Sequence, residues 1–123
     1  MKIDIFNHIF PKRYFEKMLE VLPNGTDMHK RVRNIPTLVD LEMRFRIMEQ
    51  FDDYVQVLSL ASPPIEVFGP PPVSTELARI ANDGLAELVS KYPDRFIGFV
   101  ASLPMNDPDG MLREAERAVN DLG

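Results

Sequence analysis

The chain alternates three times between a short β-rich apolar run and a longer helical pattern. The β-rich runs cover residues 2–6, 54–61 and 96–102. The second run is almost continuously apolar, which is typical of a strand covered on both faces. Strands that alternate with helices in this way favour a parallel sheet with right-handed crossovers. We therefore predict an α/β fold.

Four helices are predicted around these strands. Apolar residues recur at helical spacing within residues 14–22, 38–48, 77–89 and 111–122. Thr37 and Ser74 are expected to cap the second and third helices. Asp107, followed by Pro108, is expected to begin the fourth.

Two connecting segments are predicted between these elements. Pro23-Asn24-Gly25 is expected to end the first helix, and the polar, basic residues 24–36 are expected to form a mobile loop. The stretch from Pro63 to Val73 holds five of the eleven prolines, which excludes a regular helix or a sheet interior. This second stretch forms either the wall of a pocket or a plain connector.

Composition argues against several classes of function. The 123 residues carry a net charge of −5 and no long basic run, which argues against a nucleic-acid partner. The absence of cysteine excludes disulfides and thiolate metal sites. No apolar run reaches the roughly 18 residues of a membrane span, and no signal-peptide pattern opens the chain. We expect a cytoplasmic protein without a membrane partner.

A polar pair marks the end of the first predicted strand. Asp4 lies inside the strand, and His8 follows it. Barrel enzymes of the β/α class keep their chemistry at the C-terminal ends of parallel strands. Two interpretations are open, a functional pair or a histidine whose hydrogen bonds only stabilise the strand end.

The run Ile3-Asp4-Ile5-x-x-His8-Ile9-Phe10-Pro11 resembles the opening of the metal-dependent amidohydrolase superfamily. The resemblance is to the branch of aminocarboxymuconate-semialdehyde decarboxylase, which begins Asp-x-His-x-His-x-Phe-Pro and binds a divalent metal through both histidines. The second histidine falls on His8. The first falls on Phe6, whose ring cannot ligate a metal. The segment Asp40-x-x-x-Arg44 and the phrase YPDRFIGFVASLP (residues 92–104) extend the resemblance.

This resemblance implies the N-terminal portion of a (β/α)8 TIM barrel. Such a barrel has eight strands in about 250 residues, so residues 1–123 would supply its first three βα units as one partial domain. The later strands of the family carry a histidine and an aspartate ligand and a catalytic histidine. No catalytic residue is therefore assigned within this chain.

The resemblance also implies roles for four residues. His8 would ligate a divalent metal, expected to be zinc, and Asp4 would orient the His8 ring as its hydrogen-bond partner. Arg31 and Arg33 lie about where the decarboxylases bind a substrate carboxylate, which suits the planar fork of a guanidinium. The expected substrate is a small carboxylated molecule. We expect the chain alone to be inactive and to form homo-oligomers.

Three functions remain open from the sequence. The first is a metal-dependent hydrolase or carboxy-lyase whose catalytic equipment is incomplete in this chain. The second is a catalytically inactive β/α scaffold or interaction protein that has lost the metal site, which Phe6 favours. The third is a small phosphate-binding β/α domain, although no Gly-rich loop follows a strand.

Overall fold

Three parallel strands form the single sheet of this computed structural model, which describes residues 1–22 and 26–123. The strands are β1 (Lys2–Asp4), β2 (Tyr54–Leu58) and β3 (Phe96–Phe99), and they lie in chain order. The parallel arrangement and the three predicted strand positions are confirmed. The strands end earlier than predicted, because the residues that follow them leave the hydrogen-bonding ladder.

Five α-helices and two short 3-10 turns connect and follow the strands in the described part of the chain. The helices are α1 (Lys12–Val21), α2 (Thr26–Asn34), α3 (Leu41–Met48), α4 (Val73–Lys91) and α5 (Pro108–Asn120). The 3-10 turns cover Pro36–Leu38 and Ile65–Phe68. No described helix is both long enough and apolar enough to cross a membrane.

The helices cover one face of the sheet. Leu58 and Phe96 are completely buried on that face, where they pack with Leu85 of α4 and Met48 of α3. Side chains alternate between the faces of a strand, so Val57, next to Leu58, lies on the opposite face. We call that opposite side the open face and define it by Ile3, Val55, Val57 and Ile97.

A second apolar cluster joins α1 to α4 and the loop after β2. Phe10, Tyr14 and Met18 are almost completely buried in it, together with Leu77 and Ala81. The residues at helical spacing in α1 and α4 therefore form the core as predicted. The cluster anchors the chain directly after His8, since Phe10 begins it.

The segment predicted to be a mobile loop contains a helix. Residues 26–34 form α2, in which Met28 is buried against the core and Asp27 lies in the first turn. Met28 and the partly buried Val32, four residues apart, both pack on this core, but two apolar residues within a charged stretch give too weak a periodicity to reveal a helix from the sequence. The predicted end of the first helix at Pro23-Asn24-Gly25 lies outside the described residues.

Two of the three predicted helix caps are wrong. Asp40, not Thr37, caps α3, where its side chain accepts a hydrogen bond from the Met43 amide. Ser74 is buried within α4, which begins at Val73 without a side-chain cap. The cap of α5 is confirmed, because Asp107 accepts from the Gly110 amide at 3.1 Å.

Helix α5 buries only part of the apolar face predicted for it, which comprised Met111, Leu112, Ala115, Ala118, Val119 and Leu122. Ala118 is buried as predicted, and Glu114 is buried beside it, while Leu112 and Val119 are 65% and 75% exposed. Glu114 accepts a hydrogen bond from the buried Asn82 of α4 at 2.8 Å. This polar contact orients α5, and the spacing of apolar residues in the sequence cannot predict such a contact.

Candidate functional site

His8 lies where the chain leaves β1 and meets the end of β2. The Ile9 amide donates to the Ser59 carbonyl at 3.0 Å, and the Ala61 amide donates to the Ile9 carbonyl at 3.1 Å. Ile9 is buried, whereas the neighbouring His8 is exposed. The backbone on the C-terminal side of His8 is therefore fixed, and its imidazole faces the solvent at the C-terminal edge of the sheet.

Ser59 is the hydrogen-bond partner of the His8 ring. Its hydroxyl donates to the Asn7 carbonyl at 2.5 Å and lies 3.0 Å from His8 Nδ1. Asn7 is itself held, since its side-chain amide donates to the carbonyls of Val57 (2.9 Å) and Asp4 (3.0 Å). One feature of the sequence could have indicated this role, because Ser59 is a polar residue within an apolar strand run.

Arg44 holds the backbone of His8 from the helical side. This arginine of α3 is only 5% exposed. Its guanidinium donates to the His8 carbonyl, to the Thr37 carbonyl at 3.0 Å and to Gln56 Oε1 at 2.8 Å. Burial lowers the pKa of Arg44, while Tyr54 and Asp4 act in the opposite direction. A buried guanidinium must have its donors satisfied, and here the segment after β1, the turn before α3 and Gln56 of β2 satisfy them together.

Asp4 belongs to a polar cluster on the side of Arg44. Its carboxylate accepts from the Tyr54 hydroxyl at 2.6 Å and from the Phe6 amide at 2.9 Å. Burial raises the pKa of Tyr54, and the hydrogen bond to Asp4 adds to that effect. The structure thus places Asp4 in contact with Tyr54 and Phe6, and it places Ser59 at the His8 ring.

Two clefts of about 330 Å³ each open at His8. The first follows β1 and α3 and includes Phe6, Arg31 and Arg44 in its lining. The second lies between the loops that follow β2 and β3, and it includes Ser62 and Leu103. His8 therefore lies at the same edge as the ends of the other two strands, as predicted. The loop after β2 forms part of a cleft wall, which decides between the two interpretations of that loop.

The two predicted substrate arginines lie in different surroundings. Arg31 of α2 lines the first cleft with His8, and its guanidinium donates to the carbonyl and, at 3.2 Å, to the hydroxyl of Ser62. Arg33 is exposed and lines neither of these clefts. The fold therefore brings Arg31, but not Arg33, to the site.

The described residues do not form a complete metal site. Within residues 1–22 and 26–123, no three histidine, cysteine or carboxylate groups lie close enough together to hold a metal. Phe6 packs edge-on against His8, with 5.3 Å between the ring centroids, and is 85% exposed. Zinc and manganese sites in enzymes need about three or more protein ligands. His8 fits one of these positions.

Comparison with known proteins identifies relatives of this chain. No family model matches it. Over 87 residues it is 44% identical to γ-resorcylate decarboxylase of Polaromonas sp. JS666, an alignment that covers 70% of this chain and 26% of the relative. Over its whole length it is 30% identical to 2-amino-3-carboxymuconate-6-semialdehyde decarboxylase of Dictyostelium discoideum, of which the alignment covers 38%.

Solved structures agree with the sequence relatives. A dihydroxybenzoic acid decarboxylase from Polaromonas sp. JS666, solved with manganese and the inhibitor 2-nitroresorcinol, superposes with a TM-score of 0.74 at 34% identity. The chain is homologous to the N-terminal part of amidohydrolase-fold decarboxylases. A Staphylococcus aureus protein described as an amidohydrolase also superposes, with a TM-score of 0.59 at 30% identity.

The extent of these matches confirms the predicted architecture. The superpositions cover 99% of this chain but only 36% and 34% of the two solved chains. The chain thus spans between a quarter and two fifths of the length of its relatives. Its three βα units correspond to the N-terminal part of the TIM barrel of the decarboxylase neighbour.

A divalent metal in the family is confirmed, and the metal of that neighbour is manganese, not the expected zinc.

Proposed function

We propose that this segment forms the first part of a metal-dependent decarboxylase site for a small carboxylated aromatic substrate, in which His8 is one of the metal ligands. The observation that carries the proposal is the position of His8, exposed at the C-terminal edge of the sheet with its backbone held by both β2 and Arg44. The relatives are decarboxylases by name. The proposed substrate class follows from them.

The chain's own residues have distinct tasks in this proposal. His8 offers an imidazole nitrogen to the metal, and the metal, when bound, supplies Lewis acidity toward substrate oxygens. Arg31 supplies a positive charge to the first cleft, where a carboxylate can accept from its guanidinium fork. Arg44 fixes the backbone of His8, because its guanidinium is engaged by the carbonyls of His8 and Thr37 and by Gln56. Arg33 and Asp4 have weaker support, since Arg33 lies off the cleft and Asp4 bonds to Tyr54.

A chimera tests this proposal. Residues 1–123 replace the corresponding segment of the Polaromonas γ-resorcylate decarboxylase, and release of carbon dioxide from γ-resorcylate is measured with manganese present. We expect measurable turnover that falls by more than about 100-fold in His8→Ala, since even the outer partners of metal ligands are worth 10–100-fold. His29→Ala, at the only other histidine, serves as the control. Turnover that is unaffected by His8→Ala contradicts the role of His8.

A catalytically inactive scaffold is the second candidate, and Phe6 favours it. The phenyl ring stands where the family resemblance implies a metal-binding histidine, and it contacts the His8 ring. Reverting Phe6→His in the same chimera distinguishes the two functions. If only the revertant is active, the segment has lost its metal site. If the chimera with Phe6 is also active, the decarboxylase proposal is sustained.

A further inference from the structure

We propose that Ser59 fixes the tautomer of His8 and leaves Nε2 as the nitrogen that is free to bind a metal ion. Ser59 is then a positioning residue, since it acts only through His8. The choice of a metal as the ligand rests on the proposed function. The tautomer itself follows from hydrogen bonds that are independent of that function.

The proton of the Ser59 hydroxyl lies on the hydrogen bond to the Asn7 carbonyl. Ser59 Oγ lies 2.5 Å from the Asn7 carbonyl oxygen. Two oxygens at that distance require a proton between them, and a carbonyl has none to give. The hydroxyl has a single proton, so this proton lies on the bond to Asn7.

The ring nitrogen must then be the donor in the second hydrogen bond. His8 Nδ1 lies 3.0 Å from Ser59 Oγ, whose remaining lone pairs can only accept. A neutral imidazole carries one proton, and this geometry places it on Nδ1. Nε2 then has a free lone pair. This is the arrangement in which one ring nitrogen of a metal-binding histidine is held by a protein acceptor.

Further hydrogen bonds hold Asn7 and Ser59 in the positions that this tautomer requires. The carbonyl of Asn7 cannot turn away, because the Asn7 side chain is bonded to β1 and β2 through Asp4 and Val57. The Ser59 carbonyl is bonded to the Ile9 amide. Asp4, the carboxylate expected to orient the ring, already accepts from Tyr54 and the Phe6 amide. Ser59 therefore takes the place of a carboxylate partner.

Nitrogen-15 spectra of the histidine rings test this inference directly. The 123-residue chain is labelled at histidine and observed at about pH 8.5, well above the usual histidine pKa of about 6.5. Only two histidines contribute. We expect His8 to show the Nδ1–H tautomer, and exposed His29 to show the exchanging mixture of a solvated ring. A wild-type His8 spectrum dominated by Nε2–H would overturn the inference without any variant.

Variants of two serines separate a specific effect from a general one. Ser59→Ala should move His8 toward the pattern of His29, and Ser59→Thr, which keeps the hydroxyl, should restore the Nδ1–H tautomer. Ser62→Ala is the matched control, because Ser62 bonds to Arg31 and not to His8. An unchanged His8 spectrum in Ser59→Ala would contradict the inference.

Added Zn²⁺ distinguishes this inference from the proposed function. Excess Zn²⁺ should shift Nε2 of His8 and leave Nδ1 protonated in the wild type. The metal concentration needed should rise by about 10–100-fold in Ser59→Ala. If the tautomer depends on Ser59 but Zn²⁺ never shifts Nε2, then the metal function fails while the positioning role of Ser59 stands. If Zn²⁺ binds Nδ1 instead, the positioning role is refuted.

Discussion

The two faces of the sheet differ in how completely they are covered, although both are apolar. On the helix-covered face, Leu58 and Phe96 are entirely buried. On the open face, Ile3 and Ile97 are 50% and 44% exposed. The strand sequences alone do not distinguish the faces, since apolar residues occupy both.

The apolar residues on the two faces of the strands have different packing partners. Parallel strands buried on both faces have near-continuous apolar sequences, and the interior of a β/α barrel is packed with such side chains. The relatives of this chain are about three times longer. The open face thus has the composition of a barrel interior, whereas the covered face has its partners within this chain.

Substitutions at two consecutive residues of β3 test the comparison most strongly. Phe96→Ala should lower the free energy of unfolding by about 3–5 kcal/mol, because it leaves a cavity among helices α3 and α4. Ile97→Ala, on the open face, should cost less than about 1.5 kcal/mol, since its side chain is already half in water. Urea unfolding measures both. Equal losses would mean that the open face is covered in solution.

Arg44 links the helix-covered face to the site. Its removal should lower the free energy of unfolding nearly as much as Phe96→Ala does. Arg44→Met leaves the carbonyls of His8 and Thr37 and the side chain of Gln56 without their donor. We expect a loss of about 2–4 kcal/mol, from about 1–3 kcal/mol for each buried group left unsatisfied. Arg46→Met, in the same helix but fully exposed, should be nearly neutral in the same unfolding assay. A neutral Arg44→Met would show that water replaces the guanidinium.

The open face should cause the isolated chain to self-associate. An uncovered apolar sheet face tends to pair with another copy, so we expect wild-type dimers or larger species in sedimentation velocity at high concentration. Ile97→Glu should weaken this association by about tenfold or more, which corresponds to about 1.4 kcal/mol. Val67→Glu, an exposed position away from the sheet, is the control. A monodisperse wild-type monomer would contradict the expectation that the open face associates with another copy.

The smallest effect is expected in the core beside the site. The Tyr14 hydroxyl is buried and has no hydrogen-bond partner among the described residues, and burial raises the pKa of Tyr14. Tyr14→Phe should therefore change the unfolding free energy at pH 7 by less than about 1 kcal/mol, with the sign toward stabilisation.

The pH dependence of Tyr14 follows from the same burial. Its folded pKa lies above the unfolded value of about 10, so the contribution is complete below about pH 10 and is lost as the pH rises through the folded value. The wild type should lose stability above about pH 10 in thermal unfolding, and Tyr14→Phe should lose less. Parallel pH profiles would exclude Tyr14 as the cause.

The sequence revealed the fold better than it revealed the site. Periodicity and β-rich runs were sufficient for the three strands and four of the helices, and the apolar residues of β2, β3, α1, α3 and α4 do pack into the two core clusters. Helix α2 was missed, since its two apolar core contacts, Met28 and Val32, are too few to stand out from the charged residues around them. Ser59 and Arg44 were missed as His8 partners because their roles depend on contacts 51 and 36 residues away in sequence. Such contacts exist only after the strands have paired.

The metal content of the purified chain after dialysis against Mn²⁺ or Zn²⁺ tests most directly whether His8 is one ligand of an incomplete site. The account predicts weak binding, with far less than one metal retained per chain, since His8 has no ligand partners among the described residues. Wild type, His8→Ala and His29→Ala should then retain similarly little metal. One tightly held metal per wild-type chain, lost in His8→Ala and kept in His29→Ala, would contradict the account and show that the site is complete despite Phe6.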